Sequence, residues 1–242
     1  MSHPPDATSP PDATTQSPDP TSQQRKRYAS QVRDEQARRT RRAIVTTAHG
    51  LFLAQGYAAT TIDGIAEAAH VSRRTVFNSV GGKVALLKLA LDWAIVGDDE
   101  PIPLVDRPAI KAILAESDPG KALMLWVDTV AEVAARTAPL GEVLIAAADI
   151  DPPAAELLAE ASSNRMLGAT MFIRYLASLD GLAAGMTEQR AAELCWALTD
   201  GHLYRLLVAQ RGWSTADFNR WLSDSLAEIG RASCRERVLM PV

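Results

Sequence analysis

The chain has few of the residues that metal and covalent chemistry use. Of its 242 residues, two are cysteine and four are histidine. Two cysteines, Cys195 and Cys234, make no disulfide framework. None of His3, His49, His70 and His202 stands at metal-ligand spacing from a Cys, another His or a carboxylate. No glycine-rich phosphate loop follows a strand-like run, and no nucleophile elbow occurs. Asp200 and His202, two apart in a helical pattern, do not face each other as a catalytic dyad would. No catalytic residue, cofactor or metal is assigned, and an enzyme is not expected. A signal-peptide core and a run long enough to span a bilayer are also missing, so a cytoplasmic location is expected.

Hydrophobic residues make up 47% of the chain, enough to bury a core, and their spacing is helical throughout. The expected fold is all-α: a three-helix N-terminal domain at residues 28–82 and a helical body at residues 83–227. The overall net charge of −4 hides two opposite halves. Residues 25–83 hold 11 Lys+Arg and 4 Asp+Glu, a net of +7; residues 84–227 hold 11 and 20, a net of −9. Basic charge gathered at one end is the electrostatic footprint of a nucleic-acid binder.

Residues 44–91 explain that footprint. Ile44, Ala48, Leu51 and Phe52 give a first helix one apolar face, and Gly56 suits its left-handed end. Thr60 or Thr61 caps a second helix, with Thr60 and Asp63 spaced as a capping box. Its face is Ile62, Ile65, Ala66 and Ala69, small enough for close approach. After the His70-Val71 turn, Ser72 caps a third helix running to about Val80. Val71, Val76 and Phe77 are assigned to its inner side. Arg73, Arg74, Thr75 and Asn78 are left for a DNA groove, where Arg suits a guanine edge and Asn an adenine edge. Lys83 sits at the positive end of the next helix, an unfavourable place that a phosphate partner would explain. The pattern is a helix-turn-helix, and its partner is double-stranded DNA. The alternative, a plain helical bundle with a basic surface, is disfavoured by the charge map.

The strings AHGLF, GYAATTIDGIAEAA, VSRRTVF and GGKVALL, in this order and spacing, resemble the DNA-binding domain of the TetR family of transcriptional repressors. The resemblance implies three DNA-binding helices, a helical body that takes a small molecule, and a homodimer. It places Thr60, Thr61, Ser72, Arg73, Arg74, Thr75, Phe77, Asn78 and Lys83 at the DNA interface. Three positions depart from the family pattern: His70 replaces a turn glycine, Phe77 replaces a tyrosine, and Val80 replaces a large aromatic. Arg38 and Arg42, one helical turn apart downstream of Arg25-Lys26-Arg27, are expected to lie along phosphates, adding affinity without sequence choice.

In the body, Trp93, Trp126, Met166, Met171, Tyr175 and Trp196 are candidates for an apolar ligand pocket, although core packing competes for each. Asp128, Asp200 and His202 are candidates to orient the ligand. The last two helices carry Leu203, Leu206 and Leu207, then Phe218, Trp221, Leu222 and Leu226. These are expected at a dimer interface, since paired half-sites need a dimer. Single helices are expected from Pro139 to Ala148 and from Thr187 to about Gln210, and Asp151 is expected to cap a long helix. Residues 1–27, rich in Pro, Ser, Thr and Asp, are expected to be disordered. From Glu228 the string EIGRASCRERV reads like a translated sequencing-library adapter, so residues 228–242 are expected to be non-native. The function expected is a DNA-binding regulator, a repressor released by a small ligand. A DNA-binding protein without a ligand is the nearer alternative, a helical enzyme or carrier the more distant one.

Overall fold

A computed structural model describes the backbone of residues 20–230 and the side chains from residue 30 onward. Ten α-helices are described: α1 (Pro20–Ala59), α2 (Ile62–Ala68), α3 (Arg73–Ser79), α4 (Lys83–Val96), α5 (Pro108–Ala115), α6 (Pro119–Ala148), α7 (Pro152–Ser178), α8 (Glu188–Leu198), α9 (Gly201–Tyr204) and α10 (Thr215–Ala227). Between them fall one 3₁₀ turn at Leu104–Asp106 and a π-helical stretch, Arg205–Gln210, that continues α9. The only strand-like contact among the described residues is a single bridge between Leu182 and Gly230. The fold is all-α, as the spacing of apolar residues requires. No described helix is long and apolar enough to cross a membrane.

The chain divides into two compact units, Met1–Thr40 and Arg41–Val242. The described part of the first is the N-terminal stretch of α1, so residues 20–27 of the expected tail are helical; residues 1–19 lie outside the described residues. The second unit holds everything else in two apolar clusters. One joins Ile44 and Phe52 of α1, Ile65 of α2, Val76 of α3 and Leu86 of α4 to Leu140 of α6 and Leu157 of α7. The other is built on Val127, Phe172, Cys195, Phe218 and Leu222. The first cluster runs through the expected boundary at residue 82, so the N-terminal helices share one core with the ends of α6 and α7.

Local chemistry fixes most helix ends. Gly56 interrupts α1 at φ 76°, ψ 177°. That backbone region is open essentially to glycine alone, although a Cβ there would meet nothing within 4 Å. Gly56→Ala is expected to destabilise the fold by about 2 kcal/mol through backbone strain, read by urea denaturation. Thr61, Ser72, Thr187 and Ser214 cap α2, α3, α8 and α10 with side-chain oxygens, and Asp118 caps α6. His70 takes φ 54°, the left-handed turn for which glycine would be the unstrained choice.

Four expectations about the body are corrected. Pro139 does not begin a helix but lies inside α6, which continues from Pro119 to Ala148. Its ring is exposed, while Ala138 and Leu140 on either side are buried, so packing carries the helix past one missing hydrogen bond. The helix from Thr187 breaks at Thr199-Asp200. There the Asp200 carboxylate accepts from the backbone N–H of His202 at 2.8 Å and starts α9. Asp151 precedes α7 but gives it no side-chain cap; its carboxylate accepts the Tyr57 hydroxyl instead. The body also extends past residue 227: Ile229 is buried and its carbonyl accepts the N–H of Ala183 at 3.0 Å. Residues 231–242 lie outside the described residues.

Candidate nucleic-acid interface and ligand cavity

Val76, fully buried, fixes the orientation of α3. At about 100° per residue, Arg74 and Asn78 lie almost opposite Val76, with Arg73 and Phe77 on one flank and Thr75 on the other. Arg74 and Asn78 are exposed and have no partner among the described residues. Phe77 is 45% exposed, which corrects its inward assignment and leaves it on the outer side of the helix. Arg73 is engaged: its guanidinium lies 2.6 Å from Asp63 and 5.5 Å from the Phe77 ring centre. Both members of that ion pair are well exposed, so it holds Arg73 weakly. Ser72 accepts the N–H of Thr75 at 3.0 Å and shares a 2.8 Å hydroxyl contact with it, which fixes the entry to the helix.

Three expected contact residues have other work. Thr60 is completely buried, and its hydroxyl donates to the carbonyl of Gly56 at 2.8 Å. It braces the turn and cannot reach DNA. The exposed neighbour, Thr61, is the cap, so the Thr60–Asp63 capping pair is not formed. Arg42 pairs with Asp99, its Nε donating at 3.0 Å, which joins α1 to the segment after α4. Lys83 donates to the carbonyl of Tyr57 at 2.9 Å and lies 4.0 Å from that ring's centre. That carbonyl lies in the last turn of α1 and also accepts the N–H of Thr60 at 3.2 Å, so a lysine at the start of α4 is explained without any phosphate. Lys83→Ala is expected to lower stability by about 1 kcal/mol in thermal unfolding, through the lost hydrogen bond and ring contact. Arg38 is exposed.

Tyr57 adds a second tie. Its hydroxyl reaches Asp151 at 2.5 Å, and burial, followed by the adjacent carboxylate, pushes its phenol well above the usual tyrosine range. The last turn of α1 is therefore bonded to both α4 and the residue before α7.

The body holds a cavity of about 640 Å³, partly open to solvent, between α4, α6, α7 and the α8–α9 break. Of the sequence candidates, Trp126, Trp196, Asp200 and His202 line it. The other candidates are elsewhere. Trp93 packs on the N-terminal core. Asp128 is exposed and accepts from Asn219 at 3.1 Å. Tyr175 donates to the carbonyl of Glu116. Met166 is not part of the wall, and Met171 is 56% exposed on the outside of α7. Sequence reading missed Lys88, Asp92, Glu160 and Arg165, all on the wall. Arg165 was detectable as a cation within a largely apolar helix. It lies 2.6 Å from Asp200, donates to the carbonyl of Trp196 and stacks 4.7 Å from that indole's centre. Burial, opposed by Asp200, lowers its pKa. Cys195, buried behind the wall, has its thiol pushed up to about 12 by burial and is a packing residue. Among the described residues no group of three His, Cys, Asp or Glu could hold a metal ion.

Three of the residues expected at a dimer interface fill the protomer instead. Phe218, Leu222 and Leu226 are buried in the second core. Leu203, Leu207 and Trp221 pack against it, and Leu206 is partly buried.

A capped helix-turn-helix joined to an all-helical body with a cavity defines a class of two-part DNA-binding proteins. Residues 44–90 match the family model described as bacterial regulatory proteins, tetR family. The HTH-type transcriptional regulator TcmR of Streptomyces glaucescens is 37% identical over 99 residues, covering 37% of this chain and 44% of TcmR. The chain thus matches less than half the length of that relative. Among solved structures, a chain from Syntrophomonas wolfei assigned to the TetR family superposes with a TM-score of 0.62 at 19% identity, covering 78% of this chain and 93% of that one. NalD of Pseudomonas aeruginosa, the secondary repressor of the MexAB-OprM multidrug efflux pump, gives 0.58 at 20% identity, covering 81% and 98%. Residues 44–90 are thus similar to the DNA-binding segment of the tetR family, and the described helical body has the fold of these structures.

Proposed function

We propose that the protein is a sequence-specific transcriptional regulator that binds operator DNA as a homodimer and is released by a small molecule in the body cavity. The observation that carries this is the pair Arg74 and Asn78, presented opposite Val76 on a helix of the family's DNA-binding domain. Arg73, Thr75 and Phe77 flank them, and Thr61 and Ser72 support the approach. The basic segment with Arg38 supplies phosphate affinity. Two such heads enter successive major grooves about 34–36 Å apart. α4 links the two functions, since Leu86 and Leu87 enter the head's core while Leu91 and Ile95 line the cavity. A ligand weakens DNA binding by as much as it prefers the released arrangement.

The test is binding of the full chain to DNA flanking its own gene, across a salt series. Sequence-selective binding to two spaced half-sites that weakens steeply with salt is expected. Salt-dependent binding without sequence preference would instead favour an architectural role. Absence of binding at low salt would sink the regulator reading.

For the dimer face, α7 and the adjacent α8 offer the better candidates: Leu167 is 59% exposed, Met171 56% and Leu194 36%. Leu167 and Met171 are one helical turn apart. Met171→Ala is expected to raise the dimer dissociation constant roughly tenfold in sedimentation equilibrium.

A further inference from the structure

The segment between α4 and α5, residues 97–107, touches both the cavity and α1, which bears on how a ligand acts and rests on the ligand-released reading above. Three large apolar side chains, Ile95 of α4, Leu104 of this segment and Ile145 of α6, lie on the cavity wall yet are 37%, 51% and 45% exposed. A side chain lines a cavity and also meets solvent only where the cavity opens, so these three mark its mouth. Ile102 and Val105, beside Leu104, are exposed as well. Large apolar residues gathered in water at one opening gain by being covered.

The segment has a fixed start and a closed loop. Arg136 of α6 donates to the carbonyls of Ala94 and Ile95 at 2.8 and 3.0 Å, which pins the end of α4. Gly97 then turns the chain out of the helix at φ 88°. Arg107 folds the segment on itself, pairing with Asp98 at 2.5 Å and donating to the carbonyls of Glu100 and Ile102 at 2.9 and 3.3 Å. Asp99 ties this loop to α1. Its side chain is only 4% exposed, and it accepts from both Nε and a terminal nitrogen of Arg42. A nearly buried carboxylate held by two charge-assisted hydrogen bonds is costly to separate from its partner, so a movement of the loop is passed to α1.

We propose that residues 97–107 are a strap that closes over the cavity mouth when the cavity is filled, and that draws on α1 through the Arg42–Asp99 pair. Closure covers Leu104 and its exposed neighbours with ligand and wall. The link is separate from the continuity of α4, whose end Arg136 holds in place, and it meets α1 at a different point from the Tyr57 ties.

The experiment uses the full chain and N-phenyl-1-naphthylamine, a neutral apolar dye, as the cavity probe. Gly141→Phe serves as the cavity block: Gly141 is on the wall, and a Cβ there meets nothing within 4 Å. In hydrogen exchange, the bound dye is expected to slow the amides of residues 98–107 and to change exchange around Arg42. Asp99→Asn is expected to keep the first effect and lose the second. The dye is also expected to weaken operator binding by about tenfold in the parent and by about twofold or less in Asp99→Asn. Arg42→Lys, which keeps the ion pair, retains the tenfold effect. A pair that served structure alone would lower stability or DNA affinity and leave that ratio intact. Strap exchange unmoved by a dye that Gly141→Phe displaces would overturn the strap. An undiminished ratio in Asp99→Asn would overturn the link to α1 and leave the ligand-released regulator standing. A dye that occupies the cavity without affecting operator binding in the parent would sink both.

Discussion

Phe52→Ala is expected to destabilise the protein by about 3–5 kcal/mol, the usual cost of emptying a buried phenylalanine site. Phe52 is fully buried and stacks on Tyr57, with ring centres 6.0 Å apart and planes 15° from parallel. Its neighbours in the cluster, Ile44, Ile65, Val76 and Leu86, come from all three head helices and α4. A void there loosens every contact that orients α3. Against a typical total of about 5–15 kcal/mol, the loss is a large fraction of what holds a domain together. For a chain of this size it should appear as a fall of roughly 10 °C in the melting temperature. The same cluster includes Leu140, Leu144 and Leu157, so the disturbance is expected to reach α6 and α7. A cost below about 1 kcal/mol would mean that the head collapses around the void, or is not packed as described.

What the sequence made legible, and what it did not, follows the range of the interactions involved. The cap at Ser72 was readable, and that of α2 was narrowed to Thr60 or Thr61, because donor and acceptor are three residues apart, and such geometry needs no tertiary context. The left-handed turns at Gly56 and His70 were readable for the same reason. Periodicity identified Phe218, Leu222 and Leu226 as one apolar stripe. It carries no information on whether the stripe meets its own core or a second subunit, and here it meets its own core. Pro139 misled because its local preference for a helix start was overridden by the buried residues on either side. Lys83 and Arg42 misled differently. A basic residue beside a DNA-reading helix suggests phosphate, but these two also serve the Tyr57 carbonyl and the Asp99 carboxylate, 26 and 57 residues away. Trp126 and Trp196 could be foreseen as cavity residues from their size. The ionic pairs around them could not, since Arg165–Asp200 and Lys88–Glu160 join positions 35 and 72 residues apart.

Arg74→Ala is expected to lower affinity for the specific operator by about 1–3 kcal/mol, or roughly 5- to 150-fold, if its guanidinium reads a base edge. Arg73→Ala is expected to cost less, because part of what Arg73 gives to DNA must first be withdrawn from Asp63, 2.6 Å away. That difference distinguishes this geometry from one in which the two arginines are equivalent. Asn78 lies one turn beyond Arg74 on the same outward line, so Asn78→Ala should relax preference at a neighbouring base rather than weaken all sequences alike. The measurement is fluorescence anisotropy with the selected operator and a panel of single-base variants at fixed salt. A base-reading Arg74 loses discrimination at one position while its non-specific binding changes little. A phosphate-contacting Arg74 would instead lose affinity uniformly and reduce the salt slope by about one. Unchanged specific affinity for Arg74→Ala and Asn78→Ala together would mean that α3 is not the reading helix. The stability of both variants should match the parent, since neither side chain has a partner within the described protein.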